Sequence, residues 1–270
     1  MNNQRMLRTM SPKVRLNKFL RDCALGSRRK CEELITGGVV KINGETVTNL
    51  ATLVDTENDT VEVNGEAIEV GEKIYVAANK PVGCLVTAAD PHGRETLFDA
   101  VPGLAKGLFP VGRLDMDSEG LVLLTNDGKL GHRLAHPRYE VERKYEATVK
   151  GAAGDDLAEA LERGIELEDG IARARECRML ERSEDSTVLG ITLTEGRKRE
   201  IRRMLAACGY EVISLKRTSF GGVGLGGLHP GRWRRLSREE LRTLRRITAP
   251  KSSKPRVRPE NSPFSDGGPD

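Results

Sequence analysis

An Asn-Gly pair between two short β-prone runs leaves a chain few options. Both central positions of a two-residue hairpin turn require positive φ, which Asn and Gly tolerate best. The stretch "VVKINGETV" places Asn43-Gly44 in this setting, and Asn64-Gly65 repeats the device. Upstream, a helical pattern starts at Arg15, breaks at Gly26 and resumes behind Ser27, whose hydroxyl can cap the second helix. Gly37 and Gly38 end that helix, so the predicted order is helix, turn, helix, hairpin.

Leu16, Phe19 and Leu20 form one apolar stripe at helical spacing, leaving Arg15, Lys18, Arg21, Arg28, Arg29 and Lys30 to solvent. Any one of these is most simply a solvated charge; six together suggest a grip on a polyanion. The net charge of +4 conceals strong segregation. Residues 11–50 carry eight Lys or Arg against four acids, whereas 51–70 carry six acids and no Lys or Arg. Aromatic residues are only 4%, so any that stack on bases must be few and individually important.

The five cysteines are scattered with no C-x-x-C pair, which argues against a disulfide framework and a zinc site. "HRLAH" has the i, i+4 spacing of a zinc helix at His132 and His136, but Arg133 stands where a metalloprotease has Glu, so a structural or RNA-facing role is expected. The N-terminus lacks the apolar core of a signal peptide, and no window approaches the ~20 apolar residues of a membrane span. A cytoplasmic protein without a membrane partner is expected, and no obligate protein partner is evident. Residues 1–12 and 249–270 are polar and without apolar period, and are predicted to be disordered.

From about residue 72 the texture changes. β-like runs ("KIYVAANK", "GLVLLT", "KYEATVK") alternate with helical patterns near "DDLAEALERG" and "REIRRMLAACG", predicting an α+β domain over 72–248 behind a small module at 13–71. The Gly-rich "GGVGLGGLHPG" matches neither dinucleotide nor phosphate-loop templates and reads as a late loop.

The candidate chemistry lies in "GRLDMDSEGLVLLTNDG", where Asp115, Asp117 and Glu119 alternate ahead of an apolar run. A calcium loop starts in this way, but its twelfth position should be Glu and is Asn126. A phosphoryl-accepting aspartate needs a buried strand before it and further acids for Mg²⁺. Pro110 and Gly112 interrupt that strand, and Asp155-Asp156 is more simply a helix start. The third reading is one nucleophilic aspartate whose neighbours are scaffolding.

Two resemblances bear on the choice. "RLNKFLRDCALGSRRKCEELITGGVVKINGETV" is similar to the S-four-type RNA-binding module, named after a ribosomal protein. "GRLDMDSEGLVLLTNDG" closely resembles the signature of the pseudouridine synthases that modify ribosomal RNA behind such a module, with Ser118 where the family usually has Thr. "NKPVG", "RKYEATV" and "LTEGRKREIRRM" agree in order and spacing, and the match covers roughly residues 14–236.

The resemblance implies a curved, mixed but largely antiparallel sheet with a central cleft, no cofactor and no metal. Its substrate would be a uridine of ribosomal RNA, detached, rotated and rejoined through C5. By family position Asp115 would be the catalytic carboxylate, Arg202 the cation keeping it charged, and Tyr145 the aromatic holding the flipped base. Arg113 would fill the vacated stack or hold a phosphate, and Lys198 and Arg199 would face phosphates. Taken alone, Tyr145 is more often a core residue, and a solvated surface charge is the alternative for each Arg. An RNA-binding assembly factor without chemistry is the non-enzymatic alternative.

Overall fold

The structure is a computed structural model describing residues 13–105 and 107–249. The predicted disordered ends lie outside the described residues, except for Ala249. Near the N-terminus, β1 (Lys13–Arg15) leads into α1 (Leu16–Asp22) and α2 (Arg28–Thr36). Ser27 caps α2 as expected, its Oγ accepting from the Lys30 N–H at 3.2 Å. There follow β2 (Val40–Ile42), β3 (Glu45–Thr46), β4 (Leu53–Asp55), β5 (Val61–Val63) and β6 (Glu66–Ile68). Both Asn-Gly pairs turn hairpins, β2 to β3 and β5 to β6, with positive φ at all four residues. Leu16, Phe19 and Leu20 pack with Cys31, Ile35, Val40 and Val61 in a core of their own.

The second part is built on a nine-stranded sheet. Its strands are β7 (Tyr75–Lys80), β8 (Phe109–Pro110), β9 (Glu119–Thr125), β10 (Arg143–Lys150), β13 (Glu176–Arg182), β14 (Ser186–Leu193), β15 (Val212–Phe220), β16 (Val223–Gly224) and β17 (Trp233–Arg235). A small hairpin, β11 (Ile165–Leu167) with β12 (Gly170–Ala172), stands apart. The order along the sheet is β13-β14-β10-β15-β9-β7-β17, with β16 on β15 and β8 on β9. Every pairing is antiparallel except β9 with β15, so the sheet is mixed and largely antiparallel as the resemblance implied.

That parallel junction sits at the centre and is exceptionally close. Gly120 has φ +104°, and a Cβ there would stand 2.3 Å from the Arg217 carbonyl oxygen. The run 121–124 within "GLVLLT" is apolar at every position because both faces of β9 are covered. Val122 and Leu124 join one core with Tyr145 and Ile201, whereas Leu121 and Leu123 join another with Phe220 and Leu244.

Helices α3 (Leu97–Ala100), α4 (Gly128–Ala135), α5 (Leu157–Arg163), α6 (Glu200–Ala207) and α7 (Arg238–Ile247) complete the fold. One expected solvent cation is elsewhere: the Arg21 guanidinium lies 5.9 Å from the centre of the Phe109 ring, against the second part. Beside it Ala24 packs so tightly on Gly107 that a Cβ there would come within 2.4 Å. Arg21 therefore helps join the two parts and is withdrawn from the cationic set.

Candidate active site

The loop between β8 and β9 carries Asp115, and a buried lysine holds its backbone. Lys80, at the end of β7, has no exposed surface, and its Nζ donates to the carbonyls of Ser118 (2.6 Å), Pro81 (3.0 Å) and Met116 (3.3 Å). Burial pushes its pKa down, while the nearby carboxylates Asp117, Asp115 and Glu119 oppose the shift. Gly83 N–H adds a bond to Met116 O at 2.8 Å. "NKPVG" thus clamps the Asp115 loop, a role that its place among the matching blocks does not reveal. The available signal is a lysine ending the apolar run "YVAANK".

Asp115 is half-buried and lines a cleft of about 300 Å³. Tyr145 reaches the same cleft from β10, only 8% exposed, as do Arg113, Lys198 and Arg199 from the flanking loops. Five of the expected site residues are therefore brought together. The S-four-type cations are not among them: Arg15, Lys18, Arg28, Arg29 and Lys30 are exposed on the N-terminal part. Arg28 and Lys30 make exposed pairs with Glu32 at 3.6 Å and Glu33 at 3.4 Å.

The expected ion pair between Arg202 and Asp115 is replaced by another. Arg202, on α6, donates from Nη2 to the Asp117 carbonyl at 2.8 Å and from Nη1 to Val212 O at 3.2 Å, with Nε 3.4 Å from Asp117 Oδ2. Arg199, expected to face phosphate, instead grips both Asp117 carboxylate oxygens at 3.0 and 2.9 Å. Asp117, expected as a loop-shaping or solvated acid, is a paired loop-shaping one. The cause is backbone geometry: Arg199 precedes α6 in the left-handed region (φ 50°), which turns it out of line with the helix that follows. Arg203, next along α6, turns to Asp169 at 2.9 and 3.0 Å. The cations within electrostatic reach of Asp115 include Lys80 and Arg199.

This geometry also dismantles the calcium loop. Asp117 is committed to two arginines, and Asn126 pins the start of β7, accepting from Ile74 N–H and donating to Glu72 O, both at 2.9 Å. Among the described residues no three His, Cys, Asp or Glu side chains converge as a metal site.

Sequence reasoning missed the floor of the cleft. Arg143 and Arg217 are 7% and 2% exposed, with guanidinium carbons 4.9 and 5.1 Å from the centre of the Phe220 ring. Arg143 donates to carbonyls of Leu134, Val141, Thr194 and Glu195, and Arg217 Nε to Leu121 O at 2.6 Å. Glu200, 3% exposed, has a pKa raised to about 7 by burial, against the pull of the Arg197 backbone N–H. Arginines inside a sheet carry no apolar signature, so periodicity could not select them.

The Arg199 guanidinium beside Asp117 holds its carboxyl below the usual carboxylate range, against partial burial. A depressed folded pKa stabilises the fold fully above the unfolded value of about 3.9, and this is lost as pH falls through the folded value. Because Asp117 is 44% exposed, solvent screening limits the pair to about 0.2–1 kcal/mol. Asp117→Asn should therefore lower thermal stability slightly at pH 7 and converge with the unaltered protein at low pH. Melting curves at pH 7 and below pH 3 check this, and a constant difference would contradict the pairing.

Comparisons with known proteins agree with the layout. Residues 74–207 match the model of the RNA pseudouridylate synthase family, and residues 14–61 match that of the S4 domain. An uncharacterized RNA pseudouridine synthase of Aquifex aeolicus is 43% identical over 233 residues, covering 86% of this chain and 93% of the relative. Ribosomal large subunit pseudouridine synthase B of Bacillus subtilis is 41% identical over 86% of this chain and 96% of its own length. A crystal structure of a pseudouridylate synthase superposes with a TM-score of 0.60 at 30% identity, covering 86% of this chain and 99% of that one. The fold and cleft define an RNA-modifying enzyme with an appended RNA-binding domain. The chain belongs to the RNA pseudouridine synthase family, in the group that carries an N-terminal S4 domain.

Proposed function

We propose that the chain converts a specific uridine of ribosomal RNA to pseudouridine, with Asp115 acting on a base flipped out of its stack. The observation that carries this is the meeting of Asp115 with Tyr145 in one cleft whose mouth is cationic and whose volume, about 300 Å³, suits a single nucleobase. An ionised carboxylate can attack the sugar or the ring, or remove a ribose proton. Tyr145 offers a ring against the base and Arg113 a cation at the rim. Arg202 positions the loop through Asp117 and serves Asp115 indirectly. Residues 13–71 act as the RNA grip and 72–248 as the catalytic domain, and no cofactor is assigned. The ribosomal substrate is supported by the RNA-binding domain and by the Bacillus subtilis relative, named for the large subunit, which makes large-subunit RNA the first to test. With that substrate the place of action is the cytoplasm. Pseudouridine mapping of ribosomal RNA from cells with and without the gene tests the proposal, together with conversion by purified protein. An unchanged map and no conversion would overturn it.

Lys18, Arg28, Arg29 and Lys30 should contribute counterion release. Replacing all four by Gln is expected to lower the slope of log affinity against log salt by about 0.7–0.9 for each phosphate no longer neutralised, while single-turnover conversion at saturating RNA stays within about two-fold. An unchanged slope in a salt titration would mean that these residues form only a solvated face.

A further inference from the structure

A surface of rings and cations adjoins the cleft and is not used by the chemistry above. Helix α4 ends at Ala135, and His136 opens a single 3-10 turn, Pro137–Tyr139. Ala135 and Pro137 both line the cleft that holds Asp115, so His136, between them, stands at its mouth. One helical turn back is His132, its ring centroid 5.2 Å from that of His136 and tilted by 51°. On the other side His136 meets Tyr139 edge-on at 6.5 Å. Arg138 lies 4.7 Å from the centre of the Tyr139 ring and donates from Nη2 to its hydroxyl at 2.6 Å. Tyr139 is half-buried against the Phe220 core and serves as the anchor, whereas His132, His136 and Arg138 are exposed.

We infer that His132, His136 and Arg138 form a shelf that takes a nucleobase immediately adjoining the uridine being converted, an inference resting on the reading of the cleft given above. A volume of about 300 Å³ is at the small end of ligand sites and holds one base, so the neighbours of a flipped uridine must settle outside it. Unstacked RNA bases are received by imidazole and guanidinium planes, and the shelf supplies both. The backbone N–H of Arg138 donates to His136 Nδ1 at 3.2 Å, which leaves Nε2 as the outward nitrogen. Among the described residues none of His132, His136 and Arg138 pairs with a carboxylate, and neither do Arg113 and Lys198 across the same mouth. Flat groups among unpaired cations suit a single-stranded polyanion carrying bases. The two imidazoles alone do not make a metal site, since no third ligand joins them.

The test uses the full chain and a ribosomal RNA fragment containing the uridine it converts. Each nucleotide next to that uridine is made abasic in turn, and affinity is measured for the unaltered protein, His132→Ala/His136→Ala and Arg138→Lys. For the unaltered protein, removing one adjoining base should weaken binding about ten-fold. In both variants the intact fragment should already bind more weakly, and the further loss on removing that base should fall below two-fold. Arg138→Lys keeps the charge and removes the plane, so its salt slope should stay unchanged. Penalties equal in variants and unaltered protein, or no adjoining base that matters, overturn the shelf. Conversion of the uridine by the unaltered chain is scored in parallel. A chain that binds the fragment and converts nothing overturns the reading of the cleft, whereas one that converts without base-dependent coupling overturns the shelf alone.

Discussion

Asp115→Asn is expected to lower uridine conversion by about a thousand-fold or more while affinity for ribosomal RNA stays within about three-fold. The amide matches the carboxylate in size and lacks the charge needed to attack carbon or accept a ribose proton. Its backbone neighbours are held by Lys80 through three carbonyls, so the loop has no reason to move. Half-buried in the cleft, Asp115 is also not a phosphate ligand. Single-turnover conversion followed by nucleoside analysis gives the rate, and filter binding gives the affinity. A purified variant converting at the normal rate would remove Asp115 from the chemistry. Asp117→Asn is the informative companion, because its carboxylate is engaged by Arg199 and Arg202 and its removal should slow conversion far less.

Gly120→Ala should produce the largest loss of stability. The residue combines φ +104° with a prospective Cβ 2.3 Å from Arg217 O and 2.7 Å from Arg217 N, both backbone atoms that cannot swing aside. Relief requires β9 and β15 to separate at their parallel junction, Glu119 and Gly120 against Lys216 and Arg217. Overpacking of this kind, added to backbone strain, costs about 3 kcal/mol or more, which for a chain of this size lowers Tm by about 6–12 °C. Activity should fall with it, since β9 begins where the Asp115 loop ends and Arg217 floors the cleft. A melting temperature within about 2 °C of the unaltered protein would show that the junction can open at little cost.

Much of the N-terminal part is legible in the sequence because its determinants are local. The Asn-Gly turns, the Ser27 cap and the Leu16, Phe19, Leu20 stripe each act over two to five residues, and each is found as expected. In the second part the strands around "GLVLLT" and "KYEATVK" are equally clear, whereas Asp115 is picked from its neighbouring acids only through the resemblance of the motif to a family signature.

What the sequence alone determined, then, is a set of elements, since periodicity and turn chemistry are properties of neighbours along the chain. Tertiary structure decided the partners. Arg199, Arg202 and Arg203 lie within five residues, yet two converge on Asp117, 82 and 85 residues away for their hydrogen bonds, and the third goes to Asp169. Lys80 and Arg217 are buried, one clamping the Asp115 loop and the other flooring the cleft. The physical reason is that a long cationic side chain does not follow helical or strand period. Its position is set by whichever carbonyls and carboxylates the folded sheet brings within about 3 Å, and those come from strands distant in sequence.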